Sequence, residues 1–414
     1  MRRLLLLIPT TTYRTEDFLE AARKVGVEIV VASERPNTFA GEFPDDLLTL
    51  DFADPVKAAA QVADLARRRP IHAVVPVDDL TTVVGAAVAA ALGLPTSNTV
   101  AAASTTRNKY RMREALRAAG VPTPPYARFT VADDPAAAAG RVGYPCVLKP
   151  TVLAASRGVI RADTPAEFVA AFGRIRAILA TPEVAALDEG AAEILVEGFV
   201  PGREVALEGL LQAGALGVLA LFDKPDPLDG PFFEETIYVT PSRLPTAVQG
   251  AIADTASRAA DALGLREGPI HAELRVNEAG VWLIEVAGRS IGGLCSRTLR
   301  FGTGMSLEEI ILRHALGLDI ATLAREHAAA GVMMIPIPHR GVLAEVRGQD
   351  AAMAVPGIED VAITAHRGQE LVPLPEGSRY LGFIFARGDR PEQVEAALRE
   401  AHRRLEFEIT PLPA

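Results

Sequence analysis

His271–Arg289, HAELRVNEAGVWLIEVAGR, reads as two strands around a tight turn, with Glu273 and Glu285 twelve residues apart. Glu278, Ala279 and Gly280 fit a three-residue hairpin loop closed by a glycine in the left-handed region. Such a loop pairs Asn277 with Val281, and antiparallel counting then sets Glu273 opposite Glu285. Because side chains alternate along a strand, one face carries Glu273, Arg275, Asn277, Val281, Leu283 and Glu285. The other carries Ala272, Leu274, Val276, Trp282, Ile284 and Val286, all apolar. Facing carboxylates with Cβ atoms roughly 4.5–5.5 Å apart repel. A divalent cation between them would remove that cost, and hard oxygen ligands suit Mg²⁺ or Mn²⁺. A solvated hairpin face that happens to be acidic fits the same spacing, so the hairpin alone leaves both readings open.

The 414-residue chain is long enough for two or three domains with substantial cores. Its net charge of −10, with no basic run beyond Arg67–Arg69, argues against a nucleic-acid partner, because that affinity depends on clustered phosphate-neutralising charge. Cys146 and Cys295 are the two cysteines, far apart in sequence, which points to a reducing compartment rather than a disulfide framework. The apolar run after Arg2 and Arg3 ends at Pro9, too short for a secretory signal core and better read as a first strand. No apolar stretch approaches a membrane span. The expectation is a soluble cytoplasmic protein without nucleic-acid or membrane partners. Of 42 basic residues only five are lysines, Lys24, Lys57, Lys109, Lys149 and Lys224. In a chain so biased toward arginine, a retained lysine suggests a place where a compact ammonium is wanted, although Lys24 and Lys57 fall on polar helix faces.

Residues 1–105 alternate strand and helix, as in a parallel, Rossmann-like layer. The first strand runs into PTTTYR without a glycine triplet, which disfavours a nicotinamide or flavin site. Asp78 and Asp79 follow a strand end, where a helix N-cap is favoured over ligand contact. Residues 106–330 form the next unit, with a small α/β part at about 121–190 and EILVEGFV beginning the larger part. Residues 331–414 read as a strand-rich lobe with a C-terminal helix. The fold class is therefore α/β and α+β.

Lys149 ends a strand and is followed at once by a loop containing Ser156, Arg157 and Gly158. Backbone N–H groups of such a loop can cradle phosphate beside a lysine, yet no GxxxxGK[ST] pattern occurs. Lys109 begins a polar helix, where a surface lysine is equally at home. Glu197 ends a strand, Gly198 lets the backbone approach a flat ligand, and Glu204 could accept hydrogen bonds from ribose hydroxyls; two exposed acids near a turn fit as well.

Taken in order, Lys109, Lys149 with its loop, Glu197 with Glu204, and Glu273, Glu285 and Arg289 resemble the ATP-grasp superfamily over nearly the whole chain. That resemblance implies two subdomains clamping ATP, preceded by the Rossmann-like domain, with the part at about 121–190 as lid and a small C-terminal lobe. It implies that Lys109 and Lys149 bind phosphates, Lys149 nearest the α-phosphate, with Ser156, Arg157 and Gly158 folded over the β- and γ-phosphates. Glu197, with the backbone of Gly198, Phe199 and Val200, would hold adenine and Glu204 the ribose; Glu273 and Glu285 would bind Mg²⁺ (or Mn²⁺), and Arg289 would stabilise the transferring phosphoryl group.

Many members carry E-x-N-x-R, whereas this chain reads Glu285-Val286-Ala287-Gly288-Arg289, one metal ligand short. The segment is similar to the bacterial L-amino-acid ligase branch, as are LFDKPDPLDGPFFEETIYVTPSRLP and GPIHAEL. By that resemblance Lys224 is a candidate phosphate contact and Glu234 or Glu235 could meet a substrate ammonium. His271 is read as turned to the apolar face at a strand mouth, with packing and substrate contact both open. Gly292 and Gly293, in GRSIGG, offer N–H groups for a carboxylate, or simply a flexible connection. The expected activity is ATP-dependent joining of a small carboxylate and an amine, probed against two alternatives, a bicarbonate-using carboxylase and a non-catalytic nucleotide-binding protein. The partners implied are small molecules, with a homodimer left open.

Overall fold

The computed structural model describes residues 2–39, 41–187, 189–320 and 322–412. At the N-terminus, the strands Leu47–Thr49, Glu28–Ser33, Arg3–Leu7 and Ala73–Pro76 lie in that order in one parallel sheet. The unbroken apolar run Leu4–Leu7 fits a strand covered on both faces, and all four leucines are buried. The helices Thr15–Val25 and Asp79–Leu92 both stop at a left-handed glycine, Gly26 and Gly93. Asp78 caps the second of these, in a capping box with Thr81.

The part expected to act as a lid is a four-stranded antiparallel sheet ordered Tyr126–Thr130, Glu193–Gly198, Cys146–Pro150, Ile160–Ala162. EILVEGFV therefore belongs to that sheet as one of its two inner strands and does not begin the larger unit, which is where sequence reading puts it. Its alternating core residues Ile194 and Val196 pack with Phe129, Leu148, Phe168 and Phe172 beneath the helix Pro165–Leu179.

Eight antiparallel strands form the central sheet, in the order Gly280–Ala287, Gly268–Asn277, Arg203–Gln212, Ala215–Asp223, Ile237–Thr240, Ala329–Ile335, Gly382–Gly388 and Ile358–Ile363. The last three come from beyond residue 328, so the C-terminal part extends this sheet. It adds a small sheet of its own from Glu370–Leu371, Gly341–Arg347 and Glu406–Thr410. One face of the central sheet packs on the helix Thr246–Ala262, and the other shares a core with the N-terminal domain through Ala206, Phe222, Tyr238, Phe18 and Leu6.

The hairpin keeps the expected facing of Glu273 and Glu285 but reaches it differently. Asn277 pairs with Gly280, so the loop has two residues, and a bulge then inserts Ile284 between Leu274↔Leu283 and Glu273↔Glu285. The bulge resets the alternation and returns Glu285 to the face of Glu273. Between turn and bulge the residues of the second strand exchange faces relative to the sequence reading, while those of the first keep theirs. Val281 and Leu283 join the core, while Trp282 lies on the polar side and donates to Asn277 Oδ1 at 3.3 Å. His271 shares the face of Glu273, two residues along the strand, and does not turn toward the apolar side.

Candidate active site

The polar face of the hairpin and the neighbouring strand collect an unusual density of charge. Lys224, 3% exposed in its side chain, places Nζ 2.8 Å from Glu204 and 3.1 Å from Glu273, and also pairs with Glu235. Its ring neighbour is Tyr238, whose centroid is 5.0 Å from the ammonium. Burial alone would drive Lys224 toward the neutral amine, but three carboxylates outweigh it and hold the proton well above the usual range. Glu235 is pushed up by burial and by Glu273 beside it, to about 7. For Glu273, burial is outweighed by Lys224 and His271, which keep it ionised.

Arg275 donates to Glu204 at 2.8 Å and to the Val200 carbonyl at 2.8 Å, tying the sheet to the end of the lid strand. Its guanidinium and that of Arg161 flank the Phe199 ring at 5.0 and 4.1 Å. Inside the lid, Glu197 is 3% exposed, with Lys149 Nζ 2.7 Å from one oxygen and Arg113 on the other. Burial opposes ionisation there, yet the two cations bring the carboxyl down to about 2. The Glu197 side chain is thus paired with Lys149 and Arg113, next to the backbone of Gly198–Val200. Within that backbone the Gly198 and Phe199 N–H groups donate to Pro125 and Pro145.

Lys109 Nζ bridges the Leu153 carbonyl, at 2.7 Å, and Glu285 Oε1, at 2.9 Å, joining the start of the lid loop to the hairpin. The repulsion between Glu273 and Glu285 is therefore already offset by Lys224 on one acid and Lys109 on the other. The pair alone does not require a cation. The donor set still suits a hard one, because oxygens of Glu204, Glu235 and Glu273 lie within 4.8 Å of one another, and Glu285 is one-third exposed on the same face. A cluster of acids around Glu273 thus stands beside the expected pair of Glu273 and Glu285.

In the loop, Ala155 and Ser156 take left-handed φ values of 54° and Gly158 one of 75°. The Gly158 N–H donates to the Pro375 carbonyl at 2.8 Å, and Arg157 Nε donates to the Glu376 carbonyl at 2.9 Å. Arg289 lies 2.7 Å from Asp79 of the N-terminal domain. The following segment is held by Arg14, 2.6 Å from Ser290 Oγ, and by Glu208, which accepts the Ile291 N–H at 3.0 Å and lies 3.2 Å from His271 Nδ1. Burial opposes protonation of His271, but Glu208 and Glu273 raise it to about 9. Gly293 has φ 60°, and a Cβ there would come 2.9 Å from the Phe383 ring, so glycine is required at that bend. Gly292 is exposed on the same turn.

Sequence reasoning missed Arg113, Arg275, Glu208 and the Asp79–Arg289 pair. Arg113 is four residues after Lys109 on one helix, and Glu208 four after Glu204 on one strand, so shared faces were available as a signal. Asp79 and Arg289 are 210 residues apart and left none.

Residues 142–298 match the ATP-grasp domain, 19–96 the ATP-grasp N-terminal domain and 333–410 the L-amino acid ligase C-terminal domain 2. The chain belongs to the ATP-grasp superfamily. Among ATP-grasp structures, that of L-amino acid ligase from Bacillus licheniformis is 26% identical and covers 99% of both chains with a TM-score of 0.81. Alanine–anticapsin ligase of Bacillus subtilis is 30% identical over 51% of this chain. Formate-dependent phosphoribosylglycinamide formyltransferase of Paraburkholderia xenovorans is 26% identical over 93% of this chain and 91% of its own length. The chain spans about half the length of the alanine–anticapsin ligase it matches, 47%, and 61% of a Sinorhizobium fredii relative. Among the described residues, no helix is long and apolar enough to cross a membrane.

Proposed function

We propose that this ATP-grasp protein is a carboxylate–amine ligase that activates a small carboxylic acid or amino acid as its acyl phosphate and transfers it to an amino acid. The observation that supports this most is the likeness to L-amino acid ligase along the whole chain, including the C-terminal domain at 333–410. In this reading a carboxylate oxygen attacks the γ-phosphorus of ATP, the bond to the β-phosphate oxygen breaks, and ADP departs. The amine nitrogen then attacks the acyl carbon, phosphate leaves and the nitrogen gives up a proton.

Lys149 and Lys109 would meet ATP phosphates, Glu204 the ribose, and the backbone of Gly198–Val200 the adenine. Glu273 and Glu285 would hold Mg²⁺ or Mn²⁺, which when bound shields phosphate charge and orients the β- and γ-oxygens. Swapping these ammonium–carboxylate pairs for ammonium–phosphate pairs leaves Glu197 with Arg113 and frees Glu285 from Lys109. Arg289, steadied by Asp79, would face the charge developing on the transferred group. Protonated His271, Glu235 and the turn at Gly292–Gly293 would line the substrate side. Ala287 replaces the metal-binding asparagine of E-x-N-x-R, which disfavours a bicarbonate-using carboxylase.

The test is phosphate release from ATP against all pairs of amino acids and small carboxylic acids. Release should require an acid and an amine together; a bicarbonate requirement instead would favour the carboxylase. Glu285→Ala should lower Mg²⁺-dependent ADP formation by at least about 100-fold while the melting temperature changes little, since each such contact to the transferring group supplies several kcal/mol. Normal turnover in that variant would refute the metal assignment.

A further inference from the structure

The lid loop is held from outside the cleft, by the C-terminal lobe. Gly158 N donates to Pro375 O at 2.8 Å, and Arg157 Nε to Glu376 O at 2.9 Å. From the lid helix, Arg174 makes a two-pronged pair with Glu376, Nε to Oε1 at 2.6 Å and Nη2 to Oε2 at 3.0 Å. The same guanidinium lies 4.9 Å from the Phe232 ring, in the loop that leads to Glu235. The lobe segment folds back on itself, with Gly377 N on Pro373 O at 2.9 Å. A Cβ at Gly377 would fall 1.8 Å from the Val372 carbonyl, so the shape admits only glycine.

We propose that residues 373–377 are a latch for the lid, with Glu376 as the positioning residue that sets the loop 154–158 through Arg174. Glu376 touches no reacting atom. It joins three separate pieces, the lid helix, the phosphate-facing loop and the C-terminal lobe. Arg174 and Glu376 are 45% and 40% exposed, so the pair is weak and opens readily. A lid that admits ATP and releases ADP in each cycle needs a fastening of that strength, and a closed lid keeps water from the acyl phosphate. The consequence for turnover rests on the proposed ligase reading; the fastening itself does not.

Hydrogen exchange measured on the full chain without ligand tests the latch directly. Glu376→Ala should speed exchange in residues 151–160 by about two- to five-fold, the range for a surface ion pair. Arg174→Ala should do the same, the double variant no more than either alone, and the swapped pair Arg174→Glu with Glu376→Arg should restore the original rate. The helix Asp79–Leu92 should exchange as before in all of them. With MgATP and an acid–amine pair, Glu376→Ala should also raise the ADP formed per amide, which a merely structural role would leave unchanged. Unaltered exchange in residues 151–160, or single effects that simply add, would overturn the latch. If the ligase reading fails, no amide forms but the exchange difference remains, so the two failures are distinguishable.

Discussion

Glu197 shows how charge at one residue ties local stability to the site. Its carboxyl is held near 2 against an ordinary 4.5, because Arg113 and Lys149 outweigh its burial. A depressed folded-state value means the stabilisation is complete above about pH 4.5 and drains away as pH falls toward 2. Its size is on the order of 3 kcal/mol. Glu197→Gln leaves two buried cations unpaired and should cost about 3–5 kcal/mol at pH 7. Urea unfolding from pH 7 to pH 2.5 checks this: the gap between the two proteins should narrow as the pH drops below 4.5, and a constant gap would refute it. Sequence reading put Glu197 at the adenine but could not show that its carboxylate is paired, because Arg113 lies 84 residues away in the chain. Arg289 was legible as a conspicuous arginine, its Asp79 partner was not.

At the level of elements, period and punctuation carried most of the assignment. Helices with clear caps, such as Pro55–Arg68 after Asp54, follow from local chemistry, and so do the buried first strand and the central hairpin. The hairpin's faces were misread because a bulge leaves no mark in single-residue periodicity; only cross-strand packing decides where the extra residue goes. The inner lid strand was assigned to the wrong unit because chain order does not determine which sheet a strand enters. In the loop 151–158 geometry also constrains composition. Gly158 has φ 75°, and an added Cβ would come 2.6 Å from Pro150 Cγ. Gly158→Ala should therefore cost about 1–2 kcal/mol from backbone conformation alone and displace the loop. A raised KM for ATP with a smaller change in kcat is the expected kinetic signature; an unchanged KM would mean the loop does not contact the nucleotide.

Across the whole molecule, the N-terminal domain and the central sheet share one core and meet through buried charge. Arg14 and Glu308, 2% and 3% exposed, pair across that junction next to Ser290, and Asp79 reaches Arg289 from the same side. The Rossmann-like layer thus fixes the segment that would receive the second substrate, while the C-terminal part both completes the sheet and fastens the lid. Layer order and the succession of charged motifs were readable from sequence; the contacts between layers were not, since each joins residues hundreds of positions apart. On the proposed reading, ATP activates a carboxylate before an amine attacks. Supplying an amino-acid mixture labelled with ¹⁸O in its carboxyl groups, together with MgATP, and following the released phosphate by ³¹P NMR tests it most directly. ADP and phosphate carrying one ¹⁸O from the acid are the expected products; unlabelled phosphate, or AMP in place of ADP, would rule out an acyl-phosphate route.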